Sequence, residues 1–467
     1  MCWGRAPLSP DAVAATWLLV ASQPASRAAR ATPAVSRGSS RAVAALFDGH
    51  GSAAPSLRGA CLALALAQRL AADAVVPLRV LVVTCDALAT AGAPATSEAA
   101  HGGAWGLARV LRLEHTALRA QNADVVRGAR PLAARALTTA TDEAEVVWLG
   151  GTRCAARLRA RAASSTRRVA LSCGAYAITG GLGGLGLRAA ASLVEGGASC
   201  VVVASRGGRV GHNGQGLAAQ LAALHVAARV STADAGDAAD ALALVATVPF
   251  AGVLHAAGVG DKGLLAQLEG ARLRWMHAAK ACGAWSLHCA TALTPFCARV
   301  LYSSVGSGLG NVGQANYAAA NACLDAHALS RRVQGAAACS LQWPLVGGAG
   351  MGAAAFAAMG ERQVAIAGLA GISLEAYAAC LSGRLATCGG VALSVQLAHR
   401  SDVREVLRDL ADGGQRRFGE LAGVASRARS AAGASRPAPS VAGGVFALAP
   451  VPLALTMYPV GRGRGSV

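Results

Sequence analysis

The eight residues TGGLGGLG, Thr179 to Gly186, constrain this chain more than any others. An apolar run, AYAI, stands directly before them, and an Ala-rich run, LRAAASLVEGG, directly after, followed by the apolar stretch CVVVAS. Strand, glycine turn, helix and second strand in this spacing make one βαβ unit, and such a unit requires a parallel sheet covered by helices. Glycines let the backbone come close to a pyrophosphate, and the helix N-terminus behind them offers unpaired N–H groups with a partial positive charge. The cradle expected on this ground is Thr179, Gly180, Gly181, Gly183, Gly184, Leu185 and Gly186.

About 20 residues on, where an NAD-specific unit carries an acidic residue for the ribose hydroxyls, the second strand ends in Ser205 and Arg206. A hydroxyl and a guanidinium suit a 2′-phosphate, so the sequence favours NADPH over NADH. Asp234, in STADAGD, is the expected adenine contact, although an Asp in such a place also serves as a plain turn residue.

The βα alternation fills most of the 467 residues, a length that allows two or three domains. TWLLVAS (16–22), AVAALFD (42–48) and LRVLVVTCDAL (78–88) read as strands, with a helix between the last two over 56–74. Residues 102–121 read as a second amphipathic helix, and EVVWLGGTRCAARL as a closing strand pair. After the glycine loop, further strands are expected at 250–258, 298–304 and 338–344. The fold class is therefore α/β, with two Rossmann-like subdomains of doubly wound parallel sheet. The divisions expected are 14–165, cofactor-less because QPASRAARA after its first strand has no glycine, and 168–400, which holds the cofactor. Residues 415–467, rich in Arg, Gly, Ser and Pro, read as a disordered tail or linker.

The net charge of +19 raises the question of nucleic acid. Lys262 and Lys280 are the only lysines; the remaining basic residues are arginines, scattered singly or in pairs, without interleaved aromatics or a finger or helix-turn-helix pattern. No nucleic-acid partner is expected. Thirteen cysteines show no C-x-x-C pair and most sit singly within apolar runs, so they read as reduced structural thiols, and no metal is expected. The uncharged stretch 441–460 is interrupted by Pro450, Pro452 and Pro459, which excludes a membrane helix. The location expected is cytoplasmic, with plastid targeting by the Arg- and Ser-rich residues 23–41 as the alternative.

A second stretch, SSVGSGLGNVGQANYAAANACLDAHAL (303–329), carries Ser303, Ser304, Tyr317 and Asn321 in a Gly- and Ala-rich setting. Reduction of a ketone by a nicotinamide needs a proton delivered to oxygen, which a tyrosine can supply once a nearby ammonium lowers its pKa from about 10. A hydroxyl aimed at the same oxygen would polarise it. Ser304 is favoured over Ser303 because alternation along a strand turns neighbours to opposite faces.

These residues resemble the ketoreductase region of type I modular polyketide synthases and of animal-type fatty acid synthase, a branch of the short-chain dehydrogenase/reductase superfamily. In that branch lysine and asparagine have exchanged places. Lys280, in MHAAKACGAWSLH, stands where the family's pattern puts the lysine on the preceding helix, and Asn321 follows Tyr317 by one turn. The resemblance covers roughly residues 14–400. It implies Tyr317 as proton donor, Ser304 as the group orienting the β-keto oxygen, Lys280 as the ammonium that tunes the tyrosine and binds nicotinamide ribose, and Asn321 as the holder of a relay water. It also places His255, Ala256, Ala257 and Gly258, in LHAAG, beside the adenosine side of NADPH. AWGLARVLRLEH (104–115) is similar to a helix of the family's structural subdomain, and SLQWPLVGGAGM (340–351) to the segment before its lid.

Departures concern stereochemistry: one class carries Leu-Asp-Asp where this chain has Gly260, Asp261 and Lys262, and the other carries a tryptophan where Leu309 stands. The activity implied is NADPH-dependent reduction of a β-ketoacyl thioester on an acyl carrier protein, in polyketide or fatty acid synthesis, with other megasynthase domains as further partners. No G-x-D-S-L carrier serine and no G-H-S-x-G elbow occurs, so the chain is expected to be one region of a megasynthase or a stand-alone member. The alternatives are a reductase of free or coenzyme A thioesters and a non-catalytic scaffold.

Overall fold

The structure, a computed structural model, describes residues 17–21, 42–47, 52–73, 79–88, 99–126, 142–149, 152–160, 173–211, 215–353, 371–385, 395–397, 415–419 and 453–459. In the first half, β1 (Trp17–Ala21), β2 (Ala42–Phe47), β3 (Arg79–Cys85), β4 (Ala120–Val125) and β5 (Glu145–Leu149) lie side by side in parallel, and β6 (Thr152–Ala160) turns back antiparallel. Helices α1 (Leu57–Asp73) and α2 (Gly102–Glu114) are connected with them.

In the second half the parallel order is β9 (Ala228–Thr232), β8 (Cys200–Ser205), β7 (Ala175–Thr179), β10 (Phe250–His255), β11 (Ala298–Ser304), β12 (Ala338–Trp343) and β13 (Val395–Leu397). The chain reverses direction across the sheet between β7 and β10, the switch point at which doubly wound sheets open a crevice at their carboxyl ends. Helices α3 (Gly184–Glu195), α4 (Leu217–Ala223), α5 (Ala238–Val245), α6 (Gly270–His277), α7 (Gly283–Ala290), α8 (Val305–Leu309), α9 (Ala315–Val333) and α10 (Leu374–Leu385) link or cover these strands. A π-helical turn, Ala278–Cys282, joins α6 to α7.

The α/β class with parallel sheets is as expected. Three details differ from the sequence reading. The helix expected over 102–121 stops at Glu114: Arg119 takes left-handed φ of 34°, and β4 begins at Ala120. That strand, AQNADV, was not expected because Gln121, Asn122 and Asp124 interrupt its apolar signal. Each is partnered instead, Gln121 and Asn122 by Arg79 and Arg112, and Asp124 by the Thr84 hydroxyl and the Ala87 and Leu88 amides. Within 415–467, read as a tail, Leu453–Pro459 forms β14, which pairs antiparallel with β6 on one side and β13 on the other. The segment LALTMYP is uncharged and carries Thr and Tyr, and its proline falls at the strand's end, where a missing N–H is tolerated. Through β14 the two halves share one fourteen-stranded sheet.

The halves also share a core. Leu107, Ala108 and Leu111 of α2 join Val80 and Val82 of β3 with Ala315, Ala318 and Ala319 of α9. The approach of α2 to α9 is close because both faces are small: a Cβ on Gly103 would lie 3.2 Å from Ala319 O, and one on Gly106 would run into Ala318 O. The second half packs Tyr302, Trp343 and Tyr377 as a tilted aromatic cluster under β11 and β12, with the Tyr302 and Tyr377 hydroxyls 2.7 Å apart.

Candidate active site

Every residue singled out from the sequence falls at or beyond a strand's carboxyl end, or on a helix that follows one. The apolar strand β7 ends at buried Thr179, and Gly180 turns the chain with φ of 70°, which a side chain would resist. Gly183 caps α3 without any side-chain hydrogen bond, leaving the amides of the first turn to a ligand or solvent. A Cβ on Gly186 would sit 2.5 Å from Gly180 O, so this turn admits only glycine there. Leu185 O accepts from the Tyr377 hydroxyl at 2.8 Å, which anchors the helix start from behind. Ala349 and Gly350 lie directly over Gly184, and Gln215 ties Gly350 down through its amide, 2.8 Å.

Further along the sheet, Arg206 is exposed just past β8 and Ser205 half-buried at its end. Asp234, after β9, accepts from Gly236 N at 2.9 Å, the bond of a turn residue, and its own amide donates to Asp240. The glycine cradle, the uncapped helix start and the Ser205–Arg206 pair together fit a nicotinamide dinucleotide.

His255 ends β10 and is fully buried. Its Nδ1 lies 2.7 Å from Thr179 Oγ1 and its Nε2 2.9 Å from Lys280 O. Burial, with the Lys280 charge added, lowers its pKa to about 4, so the ring is neutral, with Nε2–H donating to the carbonyl and Nδ1 accepting from the threonine. Gly283 leaves the space this ring fills, since a Cβ there would meet His255 Cε1 at 2.8 Å. Ala256 N continues the β7 ladder to Thr179 O, and a Cβ on Gly180 would meet Ala257 N at 2.6 Å. Thus LHAAG holds the glycine loop on one side and the lysine's turn on the other.

Lys280 sits in the π-helical turn, an arrangement frequent at functional sites. Its side chain is buried, passes Gly258, where a Cβ would lie 2.8 Å from Cε, and donates from Nζ to Tyr302 O at 2.8 Å. Burial lowers its pKa to about 8, opposed by the charge of Asp325. Nζ lies 5.5 Å from the centre of the Tyr317 ring.

Tyr317 occupies the first turn of α9. Burial raises its pKa, while hydrogen bonding by Ser304 and Asn321 pulls it back. Ser304 ends β11 half-buried and caps α8, accepting from Gly306 N at 3.2 Å. Ser303 turns the other way, buried, against Ser307 Oγ and Asn321 O. Asn321 donates to Tyr317 O at 2.9 Å, and its buried Oδ1 has no partner among the described residues. The structure therefore brings Lys280, Ser304, Tyr317 and Asn321 to one place, one strand from the glycine loop's own neighbour β10, with Arg206 and Asp234 farther along the sheet.

Asp325, two turns after Tyr317, was not singled out from the sequence. Buried beneath the site, it accepts from Ser307 and Ser340 at 2.6 Å and from Gln342 at 2.7 Å, and it is the anion nearest in effect to Lys280. An acid inside the otherwise apolar run ACLDAHAL was the available signal. Among the described residues every cysteine is a free thiol, no cluster suits a metal ion, and no helix is long and apolar enough to cross a membrane.

Comparison with known proteins agrees with this geometry. Residues 174–348 match the KR domain family. The spectinabilin polyketide synthase system protein NorB of Streptomyces orinoci is 39% identical over 48% of this chain and 10% of its own length. NorA′ of the same organism is 34% identical over 72% of this chain and 10% of its own. The chain thus spans about a tenth of these curated relatives. Among solved structures, the ketoreductase from the first module of phoslactomycin biosynthesis in a Streptomyces species superimposes with a TM-score of 0.72 at 27% identity, covering 88% of this chain and 94% of that one. An A1-type ketoreductase gives 0.71 at 29% identity, covering 83% and 84%.

Proposed function

This chain carries a ketoreductase of the polyketide-synthase kind, with its KR domain at residues 174–348, and from that premise we propose that it reduces a β-ketoacyl thioester, carried on an acyl carrier protein, with NADPH. Residues 168–400 are the catalytic subdomain in this reading, and residues 14–165 the structural one. When bound, the reduced nicotinamide supplies the hydride for the β-carbon. This chain's residues do the rest. Thr179 and the glycines through Gly186 receive the pyrophosphate on the α3 amides, and Ser205 and Arg206 take the 2′-phosphate.

Ser304 donates to the β-keto oxygen and fixes its position, and Tyr317 gives up its phenolic proton as negative charge grows there. Burial disfavours a phenolate, and with the Ser304 hydroxyl donated to the β-keto oxygen, the hydrogen bond from Asn321 is the one left to favour release of the proton near neutrality. Lys280 adds a buried cation at 5.5 Å from the ring, held by Tyr302 O and balanced by Asp325. The orphaned Asn321 Oδ1 suits a water that returns the proton to Tyr317.

The observation that carries this reading is the arrival of Lys280, through a π turn, beside a tyrosine whose following turn holds Asn321 rather than lysine. Its test is NADPH oxidation by the purified protein with a simple β-keto thioester or trans-decalone as acceptor. Turnover is expected; absence of turnover by protein that binds NADPH overturns the reading. The net charge of +19 suits an acidic carrier protein, and carrier affinity that does not weaken with added salt counts against such docking.

A further inference from the structure

Ser304 and Tyr317 lie at the two ends of a short link: α8, then residues 310–314, then the first turn of α9. This link is rich in glycine, with Gly310 at φ of 83° and Gly313 at 75°, and so has little stiffness of its own. Yet it sets the spacing of the two hydroxyls. One face of α2, from the other half of the molecule, follows it along its length. Arg109 Nη1 donates to Ser307 O at 2.6 Å. The α2 backbone at Arg109 O and the Leu113 side chain press on Gly310, where a Cβ would meet them at 2.8 and 2.9 Å. Glu114, the last residue of α2, accepts from Gly313 N at 2.7 Å through Oε1.

The other oxygen of Glu114, Oε2, accepts from Leu265 N at 2.6 Å, on the segment that follows LHAAG. That segment pairs with the link, Gly263 N donating to Gly313 O at 2.8 Å. One carboxylate therefore clasps two adjoining loops, with an amide on each oxygen.

We propose that Glu114 is a positioning residue for the reduction, setting the Ser304–Tyr317 geometry from the cofactor-less half by holding Gly313 and Leu265 together. This rests on the ketoreductase reading above. The role is separate from the folding of α2, whose own packing comes from Leu107, Ala108 and Leu111 on the core and from the Arg109–Glu145 pair. Gln at this position keeps one acceptor and sets an NH2 against the second amide; Ala removes both.

The test compares Glu114→Gln and Glu114→Ala with the wild type and with Arg157→Gln, which breaks the Arg157–Glu143 pair elsewhere in the first half. Glu114→Ala is expected to lower kcat about 10²-fold, as a small misplacement of reacting groups does, with Glu114→Gln between it and the wild type. The NADPH dissociation constant stays unchanged in both, and Arg157→Gln loses thermal stability without that loss of kcat. Hydrogen exchange should speed up at 263–266 and 310–314 in the Glu114 variants while α2 remains protected. Unchanged exchange at those loops overturns the proposal, as does faster exchange with kcat retained, or a fall in kcat that NADPH affinity and melting temperature share. Should the wild type itself not turn over, the ketoreductase reading falls, and the exchange comparison still decides whether Glu114 holds the loops.

Discussion

The two halves of this molecule have parallel strands and covering helices in common, and they hold their best-buried cations, Arg109 and Lys280, in different ways. In the first, arginines are paired with buried carboxylates: Glu145 meets Arg109 at 2.7 Å and Arg112 at 2.5 Å, and Glu143 meets Arg157 at 2.6 Å. Burial pushes the Glu145 carboxyl up, but the two guanidiniums outweigh it and hold its pKa at about 2. In the second half, Lys280 has no such partner at contact distance among the described residues; its ammonium leans on Tyr302 O and its pKa falls to about 8. Satisfied charge makes a brace, whereas a cation held short of neutralisation keeps a field available at Tyr317.

Removing one partner from the brace should give the largest change in stability. Glu145→Ala strands two buried guanidiniums, and a loss of about 3–5 kcal/mol in denaturant unfolding is expected. A loss below about 1 kcal/mol would mean that the first half is not held as described. Next comes the seam between the halves. Gly106→Leu drives a side chain into Ala318 O on the helix that carries Tyr317, so about 1–3 kcal/mol of stability should go, and activity with it. The seam would be looser than the packing implies if both were retained.

A smaller effect is expected at the cofactor end. Arg206→Ala should raise the NADPH dissociation constant about 10- to 100-fold, the value of one or two charge-assisted hydrogen bonds, and leave NADH affinity alone. Equal losses for the two cofactors would remove Arg206 from the 2′-phosphate.

Acid should separate the halves most gently. His255, His277 and His288, all in the second half, have pKa values lowered by burial to about 4. An unfolded histidine titrates near 6.5, so their contribution is complete above that pH and is lost as pH falls through about 4. The contribution of Glu145 is complete above about 4.5 and is lost only as pH falls towards 2. Hydrogen exchange at pH 5 should therefore rise in the second half before the first. The reverse order would contradict the assignment of neutral, buried imidazoles.

Much of this arrangement was legible in the sequence because the decisive elements are local. A glycine loop between strand and helix announces itself within eight residues, and Ser304, Tyr317 and Asn321 fall within eighteen. Lys280 could be found only through family resemblance, since nothing near it in the chain says that a π turn will aim it at Tyr302 O. The polar strand β4 was missed because its side chains find partners on β3, α2 and the loop after β3, which no local pattern displays. β14 was missed because a strand that closes a gap between β6 and β13 owes its place to neighbours some 300 and 60 residues away. Glu114 was invisible for the same reason: the amides it accepts lie 151 and 199 residues along the chain.

In the proposed reaction the second half performs reduction through a tyrosine acid set among Lys280, Ser304 and Asn321. It is tested most directly by Tyr317→Phe, assayed for NADPH-dependent turnover of trans-decalone and for NADPH binding in the same preparation. A kcat lower by about 10²–10⁴-fold is expected, with NADPH affinity retained. Turnover close to the wild type in a variant that binds NADPH normally would contradict it.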